Sequence, residues 1–107
     1  EVDDQYSYNE LQALEALGFF GAGEAGPLTE DGCTEADGEL PVNVSGGSLG
    51  TGFLLDATGL VRTLEVVLQL RGEAGQRQLE DVEVGLVQSW RGVPTTSGAV
   101  AVLSNGG

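Results

Sequence analysis

Residues 57–71, ATGLVRTLEVVLQLR, constrain the fold more than any other part of this chain. Leu60, Val61, Leu64, Val67 and Leu68 recur at helical spacing and form one apolar stripe. Val66 and Leu70 make the opposite side apolar as well. A helix that is hydrophobic nearly all round is buried rather than laid on a surface. This one therefore calls for material on both faces. Asp56 stands where helix starts favour an N-cap. Arg71 suits the negative C-terminal end of the helix, and Gly72 supplies a stop.

The rest of the chain offers little to surround it. Ser7 and Glu10 have the spacing of a capping box. Behind them Leu11, Leu14 and Leu17, with Ala13 and Ala16, predict a helix over residues 8–17 that ends at Gly18. Residues 18–52 are rich in glycine and acidic residues and show no periodicity. A loop of that length is uncommon in a compact domain unless it is functional or packed on something. One short extended piece, residues 40–44, is expected to cross the body. In residues 81–90, Val82, Val84 and Leu86 alternate with Glu83 and Gly85, as in a half-buried strand. Residues 98–103 are continuously apolar, as in a fully buried one, and the link at residues 91–96 suits a hairpin. Residues 1–2 leave little room for a preceding strand. Two helices and a hairpin do not close a core, because an isolated hairpin is marginal in water. The expectation is a piece of something larger, or a subunit that completes its core with a partner.

Composition narrows the function. The 107 residues allow one domain. Asp and Glu number 17 against 4 basic residues, a net charge of −13. All four basic residues are arginines: Arg62, Arg71, Arg77 and Arg91. Such a charge argues against nucleic acid, whose binding rests on neutralising phosphates, and against an anionic membrane surface. No apolar run approaches the ~20 residues that span a bilayer. The acidic start, Glu1-Val2-Asp3-Asp4, is unlike a leader, so a cytoplasmic location is the expectation. The acidic excess suits either a basic partner or a solvated surface adapted to high salt. Histidine is absent and Cys33 is the one cysteine. That leaves no intrachain disulfide, no usual neutral-pH acid or base, and no ligand set for zinc. No metal is expected.

Several stretches together resemble the C-terminal half of a thiolase. They are Pro41-Val42-Asn43-Val44-Ser45-Gly46-Gly47, Gly52, Ala57-Thr58-Gly59, and Leu64-Glu65-Val66-Val67-Leu68-Gln69-Leu70-Arg71-Gly72-Glu73-Ala74-Gly75. The flavour is nearest the lipid-transfer-protein type, and the likeness covers essentially the whole chain. The resemblance implies an α/β fold: the C-terminal half of a layered α-β-α arrangement, with helices between two sheets. It would be incomplete here, holding a buried central helix and a C-terminal β-hairpin. The resemblance also implies the chemistry. A cysteine nucleophile on the other half takes an acyl group from a coenzyme A thioester, and a histidine in a Gly-His-Pro motif lowers the thiol pKa. That histidine also helps form the oxyanion hole. The substrate implied is therefore a CoA thioester, with no covalently bound cofactor. The partner implied is the missing N-terminal half or a partner thiolase subunit, in a homo- or hetero-oligomer.

Position by position, the apparatus departs from the family. The Gly-His-Pro loop reads Gly52-Phe53-Leu54-Leu55-Asp56-Ala57-Thr58-Gly59, so Phe53 holds the histidine position without being able to move a proton. A His-Asp-Cys-Phe-like stretch reads Asp3-Asp4-Gln5-Tyr6. The candidate catalytic positions are Asn43, Asp3, Asp4 and Phe53. Gly46, Gly47 and Gly52 are the candidate CoA-binding turns. Asp3 and Asp4 have a plainer reading as solvated carboxylates on an exposed terminus, and Phe53 one as core filler. Tyr6 suits a phenolic acid, as in thiolase-like aldolases, or aromatic packing beside the first helix. Trp90 and Arg91 suit contact with a CoA group or a partner subunit, or, as the plainer reading, a structural role. Cys33 lies outside every matching motif, with nothing basic near it in sequence to make a thiolate.

Overall fold

The computed structural model describes residues 1–91 and 97–106. Four α-helices precede a two-stranded antiparallel sheet: α1 (Ser7–Ala16), α2 (Ala25–Glu30), α3 (Gly47–Thr51), α4 (Thr58–Arg71), β1 (Val84–Trp90) and β2 (Gly98–Ser104). Two 3₁₀ turns, Leu55–Ala57 and Gly75–Arg77, flank α4. The register pairs Val84 with Ser104 and Trp90 with Gly98. The hairpin read from the sequence is present, although its link at residues 92–96 lies outside the described residues. No described helix is long and apolar enough to cross a membrane.

The helix stops are as expected. Gly18 sits at φ +80°, and the N–H groups of Gly18 and Phe19 close on the carbonyls of Glu15 and Leu14. Gly72 does the same for α4, at φ +70°. The starts are different. The side chain that closes the N-terminus of α1 is Asn9, which accepts the Tyr6 N–H at 3.0 Å. The expected Ser7–Glu10 box does not form, because Glu10 turns away to bond Asn43 at 2.8 Å. Asp56 does not cap α4 either: it lies within the Leu55–Ala57 turn. The Thr58 hydroxyl instead accepts the Leu54 N–H at 3.1 Å.

Two helices appear in the stretch that showed no periodicity. The N-terminus of α2 is closed by Glu15 of α1, whose carboxylate accepts the N–H groups of Gly23 and Ala25 at 2.9 and 3.2 Å. That of α3 is closed by Asp4. Both caps are contributed from elsewhere in the chain, so neither leaves a local signature. Residues 40–44 form no strand; the N–H groups of Leu40 and Val42 bond the carbonyls of Cys33 and Thr34.

The central helix is arranged inside out. The face of α4 packed on the body carries Thr58, Arg62, Glu65, Val66 and Gln69, all buried and mostly polar. Three of the five residues of the stripe read as core point outward, Leu60 at 74% exposed, Leu64 at 56% and Val61 at 43%, while Val67 and Leu68 are half-buried. β2, read as fully buried, is exposed along almost its whole length. The reason is the same in both cases. The helix covers β1 closely enough that a Cβ on Gly85 would lie 2.4 Å from Val66. Nothing among the described residues covers the far side of α4 or the outer strand.

The start of the chain is ordered into this body. The Glu1 nitrogen donates to the Leu86 carbonyl, and the Gln88 N–H donates to the Glu1 carbonyl, both at 2.9 Å. That pattern is one rung of a parallel ladder beside β1. Val2, Asp3 and Asp4 are all buried.

Candidate functional site

The two N-terminal carboxylates, whose plainer reading from the sequence is solvated, are among the least exposed groups in the protein, at 1% for Asp3 and 2% for Asp4. Burial of an ionised carboxylate is tolerated only where donors replace water, and each has them. Asp3 Oδ1 accepts the Gln5 N–H at 3.0 Å, and Oδ2 accepts the Trp90 N–H at 3.1 Å. Its own N–H donates to Gln88 Oε1 at 2.8 Å. Asp3 thus carries the β1 edge contact two residues beyond the Glu1 rung.

Asp4 lies at the N-terminus of α3. Its carboxylate accepts the Ser48 N–H at 2.7 Å and the Leu49 N–H at 3.3 Å, and meets Arg62 at 3.0 Å. Its negative charge offsets the positive end of that short helix. Gly47 shows how close the seat is: a Cβ there would fall 2.0 Å from Asp4 Oδ2. Gly46 and Gly52 bracket α3 at φ +98° and +106°, a region open to glycine.

Asn43 is held at φ +51° by a bond at each end of its amide. Its Oδ1 accepts the Val2 N–H at 2.8 Å, and its Nδ2 donates to Glu10 at 2.8 Å. Burial pushes the Glu10 carboxyl above its ordinary value, and the charges of Asp4 and Glu1 add to the rise; the Asn43 hydrogen bond opposes it. Glu1 completes this corner, its carboxylate accepting the Ser45 N–H and hydroxyl at 3.2 and 2.8 Å.

Arg62 is the residue that sequence reasoning missed. It is one of four arginines in the chain. In the fold it is 3% exposed on the inner face of α4. Its guanidinium donates to the Val2 carbonyl, to Asp4 at 3.0 Å and to Ser48 Oγ at 2.8 Å. Its place one helical turn past the start of α4, among residues most of which are apolar, was its sole distinguishing mark in the sequence. Through it Asp4, Asn43 and α3 form one connected set around residues 1–4.

Phe53 stands just outside that set, half-buried, in the loop from α3 to α4. Leu54 and Leu55 follow it, 52% and 74% exposed, with Leu55 at φ +51°. Tyr6 is exposed and stacks on Tyr8, with ring centroids 5.9 Å apart. Cys33 is half-buried in the acidic loop. Among the described residues no cluster of His, Cys, Asp or Glu is arranged to hold a metal ion.

A second polar set lies at the other end of α4. Glu65 receives Arg77 through two bonds of 3.2 and 2.8 Å, and Gln69 at 3.1 Å. Burial alone would raise the Glu65 carboxyl; the bonds from Arg77 and Gln69, with the Arg77 charge, outweigh it and hold it below its ordinary value. Gln69 also bonds the Arg77 carbonyl and the Leu79 N–H, at 2.7 and 2.9 Å. This set fastens the chain as it turns from α4 toward β1.

Residues 1–105 match a family described as thiolase C-terminal domain-like. The chain belongs to that family. It is 49% identical over 102 residues to the acetyl-CoA acetyltransferase of Methanothermobacter thermautotrophicus. That match covers 95% of this chain and 26% of the relative. The sterol carrier protein 2 of Rattus norvegicus is 43% identical over 86 residues, covering 80% of this chain and 16% of that protein. The 17-hydroxy-3-oxo-4-pregnene-20-carboxyl-CoA lyase of Mycobacterium tuberculosis is 40% identical over 93 residues, covering 87% and 23%. The chain therefore spans about a quarter or less of these relatives. The mixed helical body with its antiparallel hairpin is a partial α/β thiolase-like C-terminal domain.

Proposed function

We propose that this chain is the C-terminal part of a thiolase-type enzyme that acts on coenzyme A thioesters. The cysteine nucleophile would lie in the remainder of the full-length protein. The observation that carries this reading is the 49% identity to an acetyl-CoA acetyltransferase across 95% of the chain. In the same reading, the remainder of the protein covers the outward stripe of α4 and the exposed β2, whether as the missing N-terminal half or as a partner thiolase subunit.

Within it, residues 52–59 take the place of the histidine-bearing loop, and Phe53 that of the histidine. Asn43 and the turns at Gly46, Gly47 and Gly52 border the thioester. Phe53 has no proton to give or take, so it serves as an apolar wall. Loss of a general base lowers rates by ~10²–10⁴. Loss of an oxyanion donor lowers them by roughly 10²–10³ more. Ordinary thiolysis is therefore slow in this protein, unless groups on the remainder replace both. A second reading is a non-catalytic thiolase-like subunit, or a thiolase-like aldolase acting in a complex. The absence of histidine from the chain and the likeness to a CoA lyase favour it.

The test is made on the full-length protein. Acetyl-CoA binding is measured by calorimetry, and cleavage of acetoacetyl-CoA is compared with retro-aldol cleavage of a 3-hydroxyacyl-CoA. Binding with thiolysis that is abolished by alkylating a cysteine supports the acyltransferase. Binding with only retro-aldol cleavage supports the aldolase. No binding of acetyl-CoA and no cleavage of either substrate removes the enzymatic reading.

A further inference from the structure

The loop at residues 52–57 leaves α3 and returns as α4, and both of its ends meet at one guanidinium. Arg62 lies four residues after Thr58, the first residue of α4, so it sits one turn beyond the loop's exit. Ser48 lies four residues before Gly52, at the loop's entrance, and its hydroxyl accepts from Arg62 at 2.8 Å. Asp4 joins the same point, bonding the N–H groups of Ser48 and Leu49 and the Arg62 guanidinium. The loop's two ends are therefore joined through a buried ion pair and the hydrogen bonds it makes. Backbone bonds from Gly52 to the Ser48 carbonyl and from Ala57 to the Leu54 carbonyl, both at 3.0 Å, complete its fastening. Leu54 and Leu55 point largely into solvent, and among the described residues its one internal side-chain bond is Leu54 N–H to Thr58. Yet it keeps Leu55 at φ +51°, a conformation that a branched side chain does not hold without its ends being fixed.

We propose that Arg62 and Asp4 are positioning residues: they set α3 and residues 52–57 at the CoA-thioester site, so that Phe53 and Leu55 face the bound acyl group. This rests on the functional reading above. Neither side chain touches substrate. Both side chains are buried and act through Ser48, Leu49 and the start of α4. The buried pair also explains why Gly47 carries no side chain: a Cβ there would occupy the position of the Asp4 carboxylate.

The experiment uses the full-length protein with acetyl-CoA as the probe. Arg62→Met, Arg62→Lys and Asp4→Asn are compared with wild type by calorimetric Kd and by amide exchange. Arg62→Met is expected to raise Kd at least tenfold and to speed exchange across residues 48–55, while β1 exchange stays unchanged. Arg62→Lys, which keeps a donor for Asp4, is expected to recover part of both effects. Faster loop exchange with an unchanged Kd makes the pair merely structural and overturns the proposal. Unchanged exchange overturns it as well. Where Arg62→Met does not fold, Ser48→Ala cuts the same link without burying an unpaired charge, and is expected to raise Kd by about threefold. Failure of the wild type to bind acetyl-CoA overturns the functional reading and this proposal together. Binding that survives in every variant overturns this proposal alone.

Discussion

Gly47 shows at the scale of one residue how the fold reads a position that composition treats as filler. It stands at φ +59°, with Asp4 where a side chain would go. A non-glycine residue in the left-handed region costs roughly 1–2 kcal/mol, and the collision displaces the carboxylate that caps α3. Gly47→Ala is therefore expected to lower stability by more than about 2 kcal/mol. Gly50→Ala, where the added methyl meets open space, is expected to stay within about 0.5 kcal/mol of wild type in the same denaturant titration. Glu10 makes a second residue-level case. Its carboxyl binds a proton more tightly in the folded state than in the unfolded chain, chiefly because it is buried. Its contribution to stability is thus greatest below the unfolded-state pKa and falls as pH rises through the folded value. Glu10→Gln keeps an acceptor for Asn43 and removes the charge. Melting curves should show the variant gaining on wild type at pH 7 relative to pH 4; an equal difference at both would refute the assignment. Asp3 and Asp4 were legible as notable residues but not as buried ones. Consecutive carboxylates at the start of a chain look solvated until the donors that surround them, from β1, α3 and α4, are in place.

At the scale of elements, the long helix was legible in type and extent, ending at Arg71 with Gly72 as its stop. Its orientation was not. Helical periodicity shows which residues share a face; it does not say which face meets this part of the protein. Here the polar face goes inward because Arg62 and Glu65 find partners there, in Asp4 and Arg77. The apolar face is left for something else. Leu60→Glu combined with Leu64→Glu should shift the melting of this chain by little, since both side chains are exposed. In the full-length protein the same pair should cost at least about 2 kcal/mol, as charges placed in an apolar contact. Equal effects in the two settings would show that the stripe has no cover. The short helices α2 and α3 were illegible for a different reason. Six and five residues are too few to show a period, and their caps, Glu15 and Asp4, come from other elements.

At the scale of the molecule, the sequence by itself determined the family, the α/β class, the two main helices and the hairpin. It also led to the expectation that the inventory is too small to close a core around its most hydrophobic helix. The helices and the hairpin follow from local periodicity and glycine placement, which are properties of neighbouring residues; the family and the α/β class follow from the resemblance of whole stretches to thiolases. Only the tertiary structure decided that residues 1–4 run in beside β1 and are clamped by Arg62, and that Asn43 is held between Val2 and Glu10. It alone decided that α4 presents its apolar stripe outward. Those outcomes join residues up to 87 positions apart. Which buried charge finds which donor depends on how the whole chain packs, and no local pattern encodes it.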